Sequence, residues 1–144
     1  MDNLEEILVE MLAKAYSSII YREEQFLKDM LGDTLSIKEM HTIEVIYSTM
    51  RNKQNTAGSI ARKLGITLGT CTTNIDRLVS KGLVSKIKNE KDRRVVYIEL
   101  TDKGIQAYLK HVAMHKKIIT TAISKLSASE KVALFNAINK LEIW

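Results

Sequence analysis

The chain has one cysteine and no proline, and only six of its 144 residues are glycine. A lone thiol, Cys71, cannot close an intramolecular disulfide, which excludes a disulfide-stapled scaffold and agrees with a reducing compartment. Without proline, low-complexity tracts or internal repeats, nothing marks a flexible linker, and the chain reads as a single domain. No apolar run approaches the roughly 18 residues that a membrane span needs. The N-terminus, Met1-Asp2-Asn3-Leu4-Glu5-Glu6, is acidic and lacks both a basic leader and an apolar stretch, which reads as a cytoplasmic protein without a membrane partner. There is no nucleophile elbow, no phosphate-cradling glycine loop and no paired-carboxylate motif, so an enzyme is not expected.

What is present is an ordinary globular balance, 45% hydrophobic and 27% charged, enough to build a packed interior. Net charge is +5, from 22 Lys and Arg against 17 Asp and Glu, and a basic excess favours a polyanionic partner. Its placement matters more than its size. Asp2, Glu5, Glu6 and Glu10 make the start of the chain acidic, whereas residues 77–94 are crowded with Lys and Arg.

Apolar residues at helical spacing (Leu4, Leu8, Met11, Leu12, Ala15, Ile19, Ile20) predict a long amphipathic helix over residues 4–30, ended by Gly32-Asp33. Ser36-Ile37-Lys38-Glu39 has the form of a capping box opening a second helix to about residue 51, with Met40, Ile43, Ile46 and Tyr47 on its apolar face. Thr56 reads as the cap of a short helix over 57–64, stopped by Gly65. Thr67 caps the next, over 68–81, whose inward stripe is Cys71, Ile75, Leu78 and Val79, and Gly82 ends it. Two short helices joined by a glycine turn form a helix-turn-helix pattern. Residues 83–88 and 95–100 are β-prone and flank the polar stretch 89–94, a hairpin with a charged tip. Thr101 caps a helix running to about residue 125, and Ser127-Ala128-Ser129-Glu130 opens a final helix to the C-terminus.

The run Ile60-Ala61-Arg62-Lys63-Leu64-Gly65-Ile66-Thr67, then Thr70-Cys71-Thr72, Leu78, Lys81-Gly82-Leu83-Val84, Asp92-Arg93-Arg94 and Leu100-Thr101-Asp102-Lys103-Gly104, resembles the MarR family in order and spacing. The likeness implies a mainly α fold with a small β-hairpin wing. In that fold a winged helix-turn-helix lobe over residues 36–101 lies between long N- and C-terminal dimerisation helices, residues 1–35 and 102–144. A narrower likeness lies in residues 36–43, 67–73 and 92–96 with the downstream His111 and His115, which are similar to the MarR-type repressors of bacterial type II fatty acid synthesis genes. That likeness implies a repressor whose DNA affinity is raised by long-chain acyl groups carried on acyl carrier protein. Many members of the family carry a proline near the wing tip, where this chain has Asn89-Glu90-Lys91.

A helix that enters the major groove reads bases with short polar groups near its N-terminus. Here that end is rich in threonine. Thr67, Gly69, Thr70, Thr72, Thr73, Asn74 and Arg77 are the candidate DNA contacts, with Thr methyls suited to thymine, Thr hydroxyls to base or phosphate, and Gly69 to close backbone approach. On the wing, Arg94 is the candidate for the minor groove, where narrow A·T tracts concentrate negative potential, with Asp92 orienting its guanidinium and Lys91 and Arg93 on phosphate. Lys53, Arg62, Lys63, Lys81, Lys86 and Lys88 are further phosphate candidates. Solvated helix and hairpin surfaces are the plain alternative for all of these.

One recognition helix covers few base pairs, so specificity calls for a homodimer on palindromic double-stranded DNA. Val132, Leu134, Phe135, Ile138, Leu141, Ile143 and Trp144, with Leu4, Leu8 and Met11, supply apolar surface for a second copy. No cofactor is expected, and the acyl effector implied by the likeness would need an apolar tunnel. Its candidate lining is Tyr16, Ile19, Ile20, Phe26, Met40, Ile43, Tyr108 and Val112, positions that plain core packing explains equally. His111 and His115 are four apart on a helix, yet no further ligand cluster is evident, which favours a hydrogen-bonding or surface role over a metal site. His41 is equally ambiguous. Cys71 falls on an inward stripe and reads as core. Two other functions stay open, a MarR-type regulator answering a phenolic or oxidant signal and a non-regulatory dimeric lipid- or acyl-carrier-binding protein.

Overall fold

Three side-chain caps set the helix starts that build the DNA-reading lobe. Ser36 Oγ accepts the Glu39 N–H at 3.1 Å while Glu39 Oε2 accepts the Ser36 N–H at 2.8 Å, the reciprocal capping box. Thr56 Oγ1 and Thr67 Oγ1 accept the N–H groups of Ser59 and Thr70. Each cap satisfies an orphan donor at a helix start.

In the computed structural model, which describes residues 3–28, 30–32 and 34–141, the elements run α1 (Asn3–Lys28), a 3₁₀ turn (Met30–Gly32), α2 (Ile37–Met50), α3 (Ala57–Leu64), α4 (Leu68–Ser80), β1 (Val84–Lys88), β2 (Val96–Leu100), α5 (Asp102–Ile123) and α6 (Ala128–Ile138). The mainly α fold with one antiparallel hairpin matches the expectation from sequence. None of the described helices is long and apolar enough to cross a membrane. The chain divides into two compact units, residues 1–110 and 111–144, with the boundary inside α5.

The first unit holds the core. Met40, Ile43 and Ile46 of α2, Ile60 of α3, and Cys71, Ile75 and Leu78 of α4 are buried together with Leu83, Val84, Ile98 and Leu100 of the hairpin. Tyr47 stacks on Tyr108 with ring centroids 3.9 Å apart. Val79, expected on the inward stripe of α4, is 38% exposed. At 3.6 residues per turn, positions 71, 75 and 78 cluster on one line while 79 falls roughly 80° away, so the stripe is narrower than the apolar sequence suggests.

Two glycines turn the chain where no side chain is tolerated easily. Gly65 (φ 65°) links α3 to α4, and Gly82 (φ 70°) links α4 to β1. The hairpin pairs Val84 with Leu100 through Lys88 with Val96. Buried Asn55 anchors β2 to the α2–α3 loop, its Nδ2 donating to the Ile98 carbonyl at 2.9 Å and its own carbonyl accepting the Ile98 N–H at 2.7 Å.

A polar tie fixes the C-terminal end of α4. Lys81 Nζ donates to the Thr34 carbonyl at 2.6 Å and to both oxygens of Glu39, at 2.8 and 3.0 Å. Burial pushes the Glu39 carboxyl up, but the bonds from Lys81 and the Ser36 backbone, with the Lys81 charge, outweigh it and hold the group below its usual value of 4.5. Lys103 Nζ reaches the Lys81 carbonyl at 3.0 Å, and Thr101 Oγ1 donates to the Gly82 carbonyl at 2.7 Å.

The second unit contains the end of α5 and all of α6, which opens on the Ser127–Glu130 capping box. On α6, Val132, Leu134, Phe135 and Ile138 are exposed, as is Leu141 beyond it, while Ile143 and Trp144 lie outside the described residues. His111 Nε2 and His115 Nε2 lie 3.0 Å apart on α5, with the rings edge to face and His111 buried.

Two predictions follow from this packing. A methyl group at Gly104 would sit 2.1 Å from the Leu83 carbonyl oxygen, whereas at Gly58 of α3 it would meet open space. Gly104→Ala should therefore destabilise by about 1–3 kcal/mol, as overpacking does, while Gly58→Ala stabilises by about 0.5–1 kcal/mol. Urea denaturation of both variants checks the opposite signs. Glu39→Gln should cost about 2 kcal/mol at neutral pH, the scale of hydrogen bonds to a charged group. Because the folded value is depressed, that contribution is complete above 4.5 and disappears as pH falls through the lower native value. Melts of the two proteins should accordingly converge in acid.

Candidate nucleic-acid interface

The α3–α4 turn buries Cys71, Ile75 and Leu78 and thereby turns the opposite face of α4 outward. Gly69, Thr70, Thr73, Asp76 and Arg77 are exposed along that face, with Thr67 just before it, and Thr72 and Asn74 are half-buried at its sides. Nothing lies within 4 Å of where a Cβ on Gly69 would be, so the backbone there is open to close approach. Of the α4 residues singled out from sequence, Gly69, Thr70, Thr73 and Arg77 thus share the outer side of the helix, and Thr72 and Asn74 flank it.

The wing tip is a small hydrogen-bonded turn. Asn89 Oδ1 accepts the N–H groups of Lys91 and Asp92 at 2.8 and 3.2 Å, and Asn89 Nδ2 donates to the Tyr97 hydroxyl at 3.3 Å. Asp92 Oδ1 accepts the backbone N–H of Arg94 at 3.0 Å. Asp92, expected to orient the Arg94 guanidinium, instead holds the Arg94 backbone N–H and folds the loop, since a short side chain two residues upstream reaches the backbone first. Lys91, Arg93 and Arg94 are all left exposed. Asn89 is not among the residues expected from sequence to shape the interface, although Asn followed by polar residues in a hairpin loop is the sequence sign of such a turn.

Lys86 Nζ meets Asp76 Oδ1 at 2.6 Å, which ties wing to helix across two exposed side chains. A pair this open contributes little to stability, but it sets Lys86 beside the recognition face. Lys81, counted among the phosphate candidates, is committed to Thr34 and Glu39 and is only 25% exposed at its side chain. Lys53, Arg62, Lys63 and Lys88 are exposed.

The proposed effector residues fall in different settings. Met40 and Ile43 are wholly buried in the core, Phe26 and Tyr108 pack against it, Ile19 and Ile20 are half-buried, Tyr16 is 68% exposed, and Val112, in the second unit, is 43% exposed. His41 is exposed. Burial pushes the Cys71 thiol up, and its Sγ lies 3.5 Å from the Ala57 carbonyl. The reactive thiolate is therefore scarce, which disfavours oxidant sensing at this residue.

Residues 35–96 match the MarR family profile. The chain is 29% identical to the HTH-type transcriptional regulator YkoM of Bacillus subtilis over 136 residues, 94% of this chain and 84% of that one. Among solved structures it is similar to Streptococcus pneumoniae FabT in complex with DNA, with a TM-score of 0.80, 31% identity, and 94% and 92% of the two chains covered. The YusO protein of Bacillus subtilis shares the fold at a TM-score of 0.81 and 22% identity, over 96% and 94% of the chains. The exposed face of α4, the cationic wing beside it and these relatives agree: the chain belongs to the MarR family of winged helix-turn-helix regulators and is a DNA-binding transcriptional regulator, not an enzyme.

Proposed function

We propose that the protein is a homodimeric repressor of fatty acid biosynthesis genes that binds a palindromic operator, with a long-chain acyl group on acyl carrier protein as corepressor. The observation that carries this reading is the 31% identity to the DNA-bound FabT over 94% of the chain, taken with the residues that resemble the MarR-type fatty acid repressors. In the operator complex, α4 of each protomer lies in a major groove, the two about one helical turn apart, and Arg94 enters the flanking minor groove.

A second copy is supported by unpartnered apolar side chains. On α1, Leu4, Leu8, Met11 and Leu12 are each about half to two-thirds exposed, and on α6 Phe135 is 66% exposed. Clusters of this kind mark surfaces that associate. For the corepressor, Met40 and Ile43 belong to the same core as Ile75 and Leu78 of α4. An acyl chain inserted beside Phe26 and Tyr108 has to repack that core. The ligand then shifts the dimer toward whichever α4 setting accommodates it, and tightens DNA binding if that setting fits the operator.

The His111–His115 pair also admits a second effector class, a transition-metal ion. Two imidazole nitrogens 3.0 Å apart on one helix, one ring buried, either share a proton or serve as two ligands of one ion. One set of mobility-shift titrations on the protein's own upstream region separates the readings. The first predicts tighter binding with long-chain acyl carrier protein than with the unacylated carrier, and a dimer by sedimentation. Unchanged affinity with the acyl carrier, but tightening by Zn²⁺ that His115→Gln abolishes, would reject it for the second.

A further inference from the structure

Three of the four threonine hydroxyl protons at the start of α4 are already engaged, those of Thr72 and Thr73 among them. Thr73 Oγ1 donates to the Gly69 carbonyl at 3.1 Å and Thr72 Oγ1 to the Leu68 carbonyl at 2.9 Å, each back to the residue four before it. Thr67 Oγ1 and Thr70 Oγ1 share a proton at 2.9 Å. A hydroxyl carries one proton, so Thr72 and Thr73 retain only acceptor lone pairs. A threonine bonded in this way turns its oxygen toward the helix backbone and leaves its methyl as the outer group. Thr73 is exposed, and Leu68, the first residue of the helix, is 56% exposed. A helix end built to donate hydrogen bonds to bases would not carry a large apolar side chain beside donors that are already engaged.

We propose that Thr73 is a specificity-determining residue of α4 and reads thymine through contact of its methyl with the base's C5-methyl, not through its hydroxyl. The proposal rests on α4 lying in the major groove, where that C5-methyl is the one apolar group that marks an A·T pair. Gly69, one helical turn before Thr73, leaves the space that lets the helix come close enough for methyl contact. Thr is a poor helix former and a back-bond to the residue four before it does not repair that, so its use at an exposed position of α4 points to a role other than helix stability.

The test separates methyl from hydroxyl on both partners. A duplex is first selected from a randomised library with the wild-type protein, and the thymines of one half-site are then replaced singly by deoxyuridine, which removes only the methyl. Thr73→Val keeps the methyl and loses the hydroxyl; Thr73→Ser keeps the hydroxyl and its bond to Gly69 but loses the methyl. Thr73→Val should bind the thymine duplex like wild type, and Thr73→Ser should bind roughly three- to fivefold more weakly, the scale of one buried methyl. At one position deoxyuridine should weaken wild type by a similar factor and leave Thr73→Ser unaffected, the coupling that marks a direct contact. Thermal melts of both variants exclude misfolding as the cause. If Thr73→Val loses affinity while Thr73→Ser keeps it, or if no deoxyuridine weakens wild type, thymine reading is overturned while DNA binding stands. If wild type enriches no duplex, both fall together.

Discussion

Everything α4 presents to DNA depends on how its far end is held. Beyond Ser80 the chain makes a left-handed turn at Gly82, and every backbone carbonyl from Lys81 to Leu83 is taken up at once. Lys103 reaches the first, the Thr101 hydroxyl the second, and the Thr101 N–H the third at 3.1 Å. Gly104 presses so closely on Leu83 that the start of α5 and the root of the wing form one unit. Lys81 adds the tie to Glu39 and Thr34. With one end fixed in this way, the exposed half of the helix acquires a direction.

The interface itself follows a division of polar labour. Asn89, Asp92 and the α4 threonines spend their short side chains on nearby backbone, which orders the wing tip and the helix start. The long cations are then left facing solvent. Lys91, Arg93 and Arg94 keep their charge available for phosphate and groove, while Asp76 tempers Lys86 alone. Order comes from the uncharged and acidic groups and attraction from the basic ones, so the wing is shaped before DNA arrives, which lowers the ordering cost of binding.

Local chemistry was the most legible part of the chain. Ser36-x-x-Glu39, Thr56, Thr67 and Ser127-x-x-Glu130 announce helix starts because capping acts over three residues, and the structure begins α2, α3, α4 and α6 at those positions. What depended on distance along the chain was hidden. Lys81 and Glu39 are 42 residues apart, and nothing local distinguishes a half-buried ion pair from two surface charges. Asn55 and Ile98 are 43 apart and equally silent. The effector residues illustrate a different limit. Met40 and Ile43 have the same periodic signature whether they line a tunnel or fill a core, and in the structure they fill the core.

The central claim is that the exposed end of α4 and the cations of the wing meet one duplex together. Binding of wild type and Arg94→Ala to a single operator duplex, followed as salt rises from about 50 to 200 mM, tests it most directly. The account predicts a steep loss of wild-type affinity with salt, and a variant that is weaker by tenfold or more at the lowest salt with a shallower dependence, since a lost cation releases fewer counterions (about one fewer per contact). An Arg94→Ala protein that binds as tightly as wild type along the same salt curve would contradict it.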